Sequence, residues 1–110
     1  MAAQPEETPV LDLLAGMTAS SVEASSLDPG ALLLVRIAAL VAVDAPPASY
    51  VMNLGVAGEV GVTAEQVQGV LAGVAPIVGT ARVVSAAGNM MRGLGIVLDL
   101  AQLESESESE

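Results

Sequence analysis

Helix-start signals recur along this chain and constrain its fold more than any other sequence feature. Thr8-Pro9 and Asp28-Pro29 each join a capping side chain to a proline that suits the first helical position. Pro46-Pro47 ends one helix and opens the next, because proline disfavours helical geometry in the residue before it. Residues 63–66, Thr-Ala-Glu-Gln, match the capping box. No stretch alternates with period two for long, so the sequence predicts an all-α fold without a sheet.

These signals predict a compact bundle of five to six short helices. The first four helices run over about residues 9–24, 29–43, 47–58 and 64–78, and Pro76 is expected to bend or finish the fourth. The fifth begins at Gly79-Thr80, and Gly93 and Gly95 are expected to loosen its end. A last short helix is expected over Ile96–Leu103.

Side-chain spacing predicts which face of the fifth helix points inward. An apolar set at helical spacing is expected to face the core, and it comprises Val83, Ala87, Met90, Met91 and Leu94. The opposite face carries a polar stripe formed by Arg82, Ser85, Asn89 and Arg92. We favour pairing of this polar stripe with the carboxylates of a neighbouring subunit. A solvated helix face and an acidic partner are the alternatives.

The core of this chain has to be built from aliphatic side chains. Hydrophobic residues make up 53% of the sequence, but aromatic residues make up only 1%. Each aliphatic side chain buries less apolar area than an aromatic ring would. Because a thin core often gains stability from subunit contacts, we expect a homo-oligomer.

The chain divides into three parts. Residues 1–7 form a flexible polar leader, residues 8–103 a single helical domain, and residues 104–110 an acidic tail that alternates Ser and Glu. The tail offers no apolar surface to offset chain entropy, so we expect it to be disordered. It is either native or an expression appendage.

The charge balance excludes two classes of partner. The formal net charge is -10, with three arginines and no lysine. Nucleic acids and anionic membranes are bound through basic patches, which this composition cannot supply. The apolar run Ala31–Val43 is too short to span a bilayer, and the run Val67–Val84 is interrupted by Pro76 and Arg82. With an acidic N-terminus in place of a signal peptide, we expect a cytoplasmic protein.

The sequence contains neither cysteine nor histidine. Disulfides, thiol redox chemistry, thiolate or imidazole metal sites and catalysis by a histidine base are therefore excluded. We expect no metal and no cofactor.

Four segments carry a family resemblance: Leu27–Pro29, Leu34–Ala42, Gly61–Val67, and Val74-Ala75 with Gly79. Together they resemble the carboxymuconolactone decarboxylase and alkylhydroperoxidase D-like superfamily over about residues 27–95. The resemblance implies an all-helical domain, a trimer or hexamer of subunits, and a pocket near the junction of helices 2 and 3.

The chain departs from the family pattern at its reactive groups. In the redox branch the junction carries C-x-x-C followed by His, with a Glu on the preceding helix. The resemblance places the cysteines on Pro46 and Ser49, the histidine on Asn53 and the glutamate near Leu33. The decarboxylase branch keeps the histidine, which Asn53 also replaces. We therefore expect a divergent, non-redox member without thiol peroxidase activity, and a binding or structural role for an unknown ligand.

Five residues form the candidate pocket: Arg36, Ser49, Tyr50, Asn53 and Glu59. Arg36 interrupts an apolar helix, so its guanidinium needs a carboxylate or a route to the surface. An ion pair with Glu59 or Asp44, or with another subunit, is the favoured interpretation. The alternative makes Arg36 the anchor for a small carboxylated molecule.

Ser49 and Asn53 lie four residues apart and share a helix face with Tyr50 beside them. They could line a remnant pocket, but the favoured interpretation places Ser49 in the first helical turn and leaves Asn53 solvated or bonded to backbone. The alternative function is a cofactor-free decarboxylase or isomerase, in which Arg36 holds a carboxylate and Tyr50 or Glu59 moves a proton.

Overall fold

The computed structural model describes residues 7–108, and the helices cover most of that range. It contains five α-helices and no strand within those residues: α1 (Pro9–Ala24), α2 (Pro29–Ala42), α3 (Pro47–Gly55), α4 (Ala64–Val78) and α5 (Thr80–Glu108). The all-α prediction is confirmed. Each of the first three helices begins at the predicted proline.

Local capping explains two of the helix starts. Oδ1 of Asp28 accepts a hydrogen bond from the backbone N–H of Ala31 at 2.9 Å. Thr63 and Gln66 form the predicted capping box, with Gln66 N to Thr63 Oγ1 at 3.1 Å and Thr63 N to Gln66 Oε1 at 2.9 Å. Thr8 differs, because its hydroxyl donates to Asp12 Oδ1 at 3.2 Å and caps no backbone N–H.

The core is formed by one face of α2, by parts of α3 and α5, and by residues of the segments before α3 and before α4, and the apolar side of α4 packs against it. Its buried hydrophobic residues are Leu33, Ile37, Val41, Ala45, Tyr50, Val62, Ala86 and Met90. Leu33, Ile37 and Val41 are spaced by four, so they form one row along α2. Tyr50, the single aromatic residue of the chain, is fully buried in this aliphatic core.

The expected last helix over Ile96–Leu103 is not separate, because α5 runs without a break from Thr80 to Glu108. Gly93 does not loosen the helix but lets α5 approach α3. A Cβ atom at position 93 would lie 3.0 Å from the carbonyl oxygen of Pro47 and 3.2 Å from Cβ of Tyr50. The helix break lies earlier, at Gly79, whose φ of 89° is the left-handed conformation that glycine tolerates.

The inward face of α5 was predicted only in part. Met90 is buried, as expected, but Met91 is 75% exposed and Leu94 is 46% exposed. The residues of α5 that are buried in the core are Ala86, Met90 and Gly93, which lie at helical spacing. The sequence pattern is ambiguous here because α5 has apolar residues on more than one face.

Residues 104–108, which we assigned to a disordered tail, continue α5 as its last residues. Extending an existing helix avoids the cost of nucleation, and Nε2 of Gln102 donates to Oε1 of Glu106 at 3.2 Å across one turn. Residues 109–110 of the expected tail and residues 1–6 of the expected leader lie outside the described residues.

Helix α1 contributes no buried residue to the core. Its large apolar side chains are exposed by half or more, and they are Val10, Leu11, Leu13, Leu14, Met17 and Val22. An apolar surface of this extent on one helix is typical of an interaction site.

One described helix, α5, is long and apolar enough over Thr80–Glu106 to cross a membrane by length and composition alone. A single helix of this kind is weak evidence for a membrane protein. The segment also contains Arg82, Arg92 and Asp99, and charged side chains are costly inside a bilayer.

Candidate functional site

Arg36 connects α2 to α1. Its Nη2 donates to the hydroxyl oxygen of Ser21 at 3.0 Å and to the carbonyl oxygen of Thr18 at 3.4 Å. Within the part of the chain that the structure describes, no ion pair joins Arg36 to Glu59 or Asp44, the partners we expected. Arg36 is half-buried, so its aliphatic stem covers apolar surface while neutral oxygens of α1 satisfy part of the guanidinium.

A cavity of about 260 Å³ lies beside Arg36. Its lining comes from the end of α1, the following loop, α2, α3 and the segment between α3 and α4, and it comprises Val22, Leu27, Pro29, Leu32, Leu33, Arg36, Asn53, Val56 and Val60. Of the five candidate residues, the cavity brings together Arg36 and Asn53. Ser49, Tyr50 and Glu59 do not line it.

The side-chain amide of Asn53 makes one hydrogen bond within its own helix. Its Nδ2 donates to the backbone carbonyl oxygen of Ser49 at 3.2 Å, and Ser49 lies in the first turn of α3. The two residues share a helix face, as their spacing predicts, but they are joined through the backbone rather than through two side chains. Glu59 is exposed in the segment after α3.

Tyr50 lies inside the core, where its hydroxyl is the one buried side-chain polar atom without a hydrogen-bond partner among the described residues. Burial raises the pKa of the Tyr50 hydroxyl above its ordinary value of 10.0, and the negative charge of Asp44 raises this pKa further. The phenol is therefore neutral at physiological pH. Its side chain is buried and has no contact with solvent.

The polar stripe of α5 packs against the turn between α2 and α3 of the same chain. Ser85 Oγ donates to Asp44 Oδ1 at 2.7 Å, and Asn89 Nδ2 donates to the carbonyl oxygen of Ala45 at 3.1 Å. Arg82 donates to the carbonyl oxygen of Ala42. Three of the four stripe residues thus contact the end of α2 and the turn after it, whereas Arg92 donates to Asn89 Oδ1 on its own helix. Pairing of the stripe with a neighbouring subunit stays a prediction.

Asp44 itself is in an uncommon conformation. Its φ of 55° makes it the one described non-glycine residue with a positive φ. Aspartate tolerates this left-handed region better than most residues, and the hydrogen bond from Ser85 fixes its side chain.

A second cavity, which the sequence analysis did not predict, has a volume of about 380 Å³ between α3, α4 and α5. Its lining carries no ionisable side chain and comprises Leu54, Ala57, Val62, Thr63, Ala64, Val67, Gln68, Leu71, Ala87, Met90, Met91 and Leu94. These residues come from three consecutive helices and from the segment between α3 and α4, so no single local pattern indicates the cavity. The apolar residues at helical spacing along α4, among them Val67 and Leu71, are the one sequence signal that points to it.

No group of three or more carboxylates that could hold a metal ion exists among residues 7–108. Arg36 and Asn53 are the polar side chains that line the smaller cavity, and they can bind an anion or a hydrogen-bonding group but offer no metal ligand set.

Comparison with known proteins gives one finding. The family model described as "Carboxymuconolactone decarboxylase family" matches residues 8–89, which include α1 to α4 and the first third of α5. Searches of curated proteins and of solved structures returned no match. Because the family model covers well over half of the chain, and the all-α fold agrees with the resemblance, the chain belongs to the carboxymuconolactone decarboxylase family.

Proposed function

We propose that this domain is a non-redox, homo-oligomeric member of the family that binds a small carboxylated molecule beside Arg36, in the cytoplasm. The observation that carries the proposal is the cavity of about 260 Å³, in which one guanidinium and one amide face an otherwise apolar lining. Small-molecule sites typically combine an apolar wall with a few polar groups that fix the orientation of the ligand.

Arg36 keeps hydrogen-bonding capacity for a ligand. The oxygens of Thr18 and Ser21 both contact Nη2, and among the described residues Nε and Nη1 have no acceptor. A guanidinium has five N–H donors, and its hydrogen bonds to a carboxylate are stronger than those to neutral oxygens. A bound carboxylate would therefore supply hydrogen-bond acceptors for Nε and Nη1 of Arg36.

The geometry supports binding over the alternative of a cofactor-free decarboxylase or isomerase. Such an enzyme needs an acid or base within hydrogen-bond reach of the ligand. Tyr50 is enclosed in the core and Glu59 is exposed outside the cavity, so neither is beside Arg36. Thiol chemistry has no nucleophile in this chain, because the sequence contains no cysteine.

The exposed apolar surface supports assembly into a trimer or hexamer. Helix α1 buries none of its residues, although six of its large apolar side chains are available for contact. Subunit association would remove such side chains from water and add stability that the thin aliphatic core lacks.

Calorimetric titration with benzoate tests the ligand class, with neutral benzamide as the matched probe. We expect saturable binding of benzoate, weaker binding of benzamide, and a loss of roughly tenfold or more in benzoate affinity in Arg36→Gln. Arg92→Gln is the control, because Arg92 lies on α5 and contacts Asn89 Oδ1 rather than the cavity. Equal affinity for the two probes, or unchanged benzoate binding in Arg36→Gln, would exclude the proposal.

A further inference from the structure

Helix α5 carries a second apolar row that faces solvent. Val84, Met91 and Leu98 are spaced by seven residues, and Ala87 and Leu94 lie three residues after the first two. We call these five residues the seam. Alternating steps of three and four are the spacing with which two helices pack side by side as in a coiled coil.

The large side chains of the seam are mostly exposed, although Ala87, Met91 and Leu94 also line the cavity between α3, α4 and α5. Val84 is 66% exposed, Met91 75%, Leu94 46% and Leu98 60%. The core uses a different row of α5, which contains Ala86, Met90 and Gly93. One helix thus packs its own domain with one face and leaves an apolar face of about four turns open.

Small residues flank the seam and leave room for a neighbouring backbone. A Cβ atom at Gly95 would meet no atom within 4 Å, and one at Gly88 would meet only Nη1 of Arg92, at 3.5 Å. Neither glycine is therefore required by packing inside the chain. Glycine beside an apolar row lets a second helix approach closely.

We propose that the seam binds the seam of a second copy in antiparallel orientation, with Met91 on the two-fold axis. This pairing places Val84 opposite Leu98, and the large Leu94 opposite the small Gly88. A parallel pairing would set Gly88 against Gly88 and leave that space unfilled. The inference rests on the hexamer of the proposed function, because a trimer has no two-fold axis, and it assigns one of the contacts of that hexamer.

The charge distribution favours a second copy of this chain as the occupant. Between Thr80 and Leu98 the charged residues are Arg82 and Arg92, whereas the whole chain carries a net charge of -10. Two strongly acidic copies would thus meet along a segment that has no carboxylate. The four large seam side chains together expose about 500 Å² on each copy, so their complete burial brings the pair to ~1,000 Å², the lower limit for a specific interface.

Single cysteines test the orientation directly, because the natural sequence has none. Under mild oxidation we expect a disulfide-linked dimer from Met91→Cys, and from a mixture of Val84→Cys with Leu98→Cys. Val84→Cys alone should stay uncrosslinked, because the two positions 84 lie ~21 Å apart in the antiparallel pair, beyond the reach of a disulfide. Met52→Cys, exposed on α3 away from the seam, is the control.

Crosslinking of Val84→Cys alone as readily as Met91→Cys would overturn the antiparallel pairing. Crosslinking that is equal in Met52→Cys and Met91→Cys, or absent from both Met91→Cys and the mixture, would overturn the seam as an interface. Circular dichroism of each variant confirms that the helices have formed.

Sedimentation equilibrium supplies the second readout. Met91→Glu should weaken association roughly a hundredfold, because it buries two unpaired carboxylates against each other, whereas Met52→Glu adds the same charge and should leave association unchanged. If the wild-type chain is monomeric, the proposed assembly and the seam both fail. If it is oligomeric and Met91→Glu has no effect, the assembly stands and the seam contact is wrong.

Discussion

Ser85 on α5 donates its hydroxyl to Oδ1 of Asp44 over 2.7 Å, which ties the turn between α2 and α3 to the last helix. Asp44 has a φ of 55°, a conformation that needs support from its surroundings. Replacing Ser85 with Ala should lower the free energy of unfolding by about 1 kcal/mol, because the hydrogen bond is lost. Urea unfolding measures this change.

The control for that variant is Ser20→Ala on the exposed helix α1. Alanine is the better helix former, so this change should leave the stability equal or slightly higher. Equal stability of Ser85→Ala and the wild type would show that the contact with Asp44 contributes nothing.

Replacing Gly93 and Gly73 with alanine should change the free energy of unfolding in opposite directions. At Gly93 the new Cβ would lie 3.0 Å from the carbonyl oxygen of Pro47, so α3 and α5 must separate, and we expect a loss of about 1–3 kcal/mol. At Gly73, inside α4, nothing lies within 4 Å, and helix propensity alone predicts a gain of about 1 kcal/mol. Thermal unfolding of both variants measures the difference, and a stabilised Gly93→Ala would contradict the close approach.

Tyr50 should make the fold sensitive to alkaline pH. Burial and the charge of Asp44 raise its pKa in the folded state, so above pH 10.0 the unfolded chain releases the phenolic proton more readily than the folded chain. Stability is therefore highest below that pH and falls as the pH rises toward the folded-state pKa. Because the chain has one tyrosine, tyrosinate absorbance follows this ionisation directly.

Tyr50→Phe is the matched variant for the alkaline effect. It removes the ionisable group and a buried hydroxyl that has no partner, so the alkaline slope of stability should shrink while stability at neutral pH is kept or improved. An unchanged slope would assign the alkaline sensitivity to other groups.

Peroxide reduction with a dithiol reductant should be zero. The sequence contains no cysteine, so no thiolate can attack the peroxide and no disulfide can be reduced in turn. A coupled assay of reductant consumption measures this, with a thiol peroxidase as the positive control. Turnover above the uncatalysed rate would reveal a thiol-independent mechanism.

Helix starts were predictable because capping is local. Asp28 and Thr63 each bond to a backbone group three residues away, so the sequence contains the whole interaction. Proline acts in the same way, through its own φ and the residue before it. The sequence does not distinguish which of two apolar rows on α5 enters the core, since Met90 and Met91 have the same chemistry and opposite exposures.

The site was harder to predict, because its contacts connect distant segments. Arg36 meets Ser21, fifteen residues earlier, and Ser85 meets Asp44, forty-one residues away. Charge alone suggested carboxylate partners for Arg36, yet neutral oxygens of α1 occupy that position. Asn53 and Ser49 were placed correctly on one face because their four-residue spacing is a property of the helix itself.

Two of the acceptors that hold the α2–α3 turn are main-chain carbonyls, at Ala42 and Ala45. Every amino acid supplies a main-chain carbonyl, so these two contacts do not depend on the chemistry of the side chains at positions 42 and 45, whereas the contact of Ser85 requires the carboxylate of Asp44. A change of side chain at position 42 would thus keep the contact with α5, whereas a change at Asp44 would remove one of the three contacts that set the path of the turn.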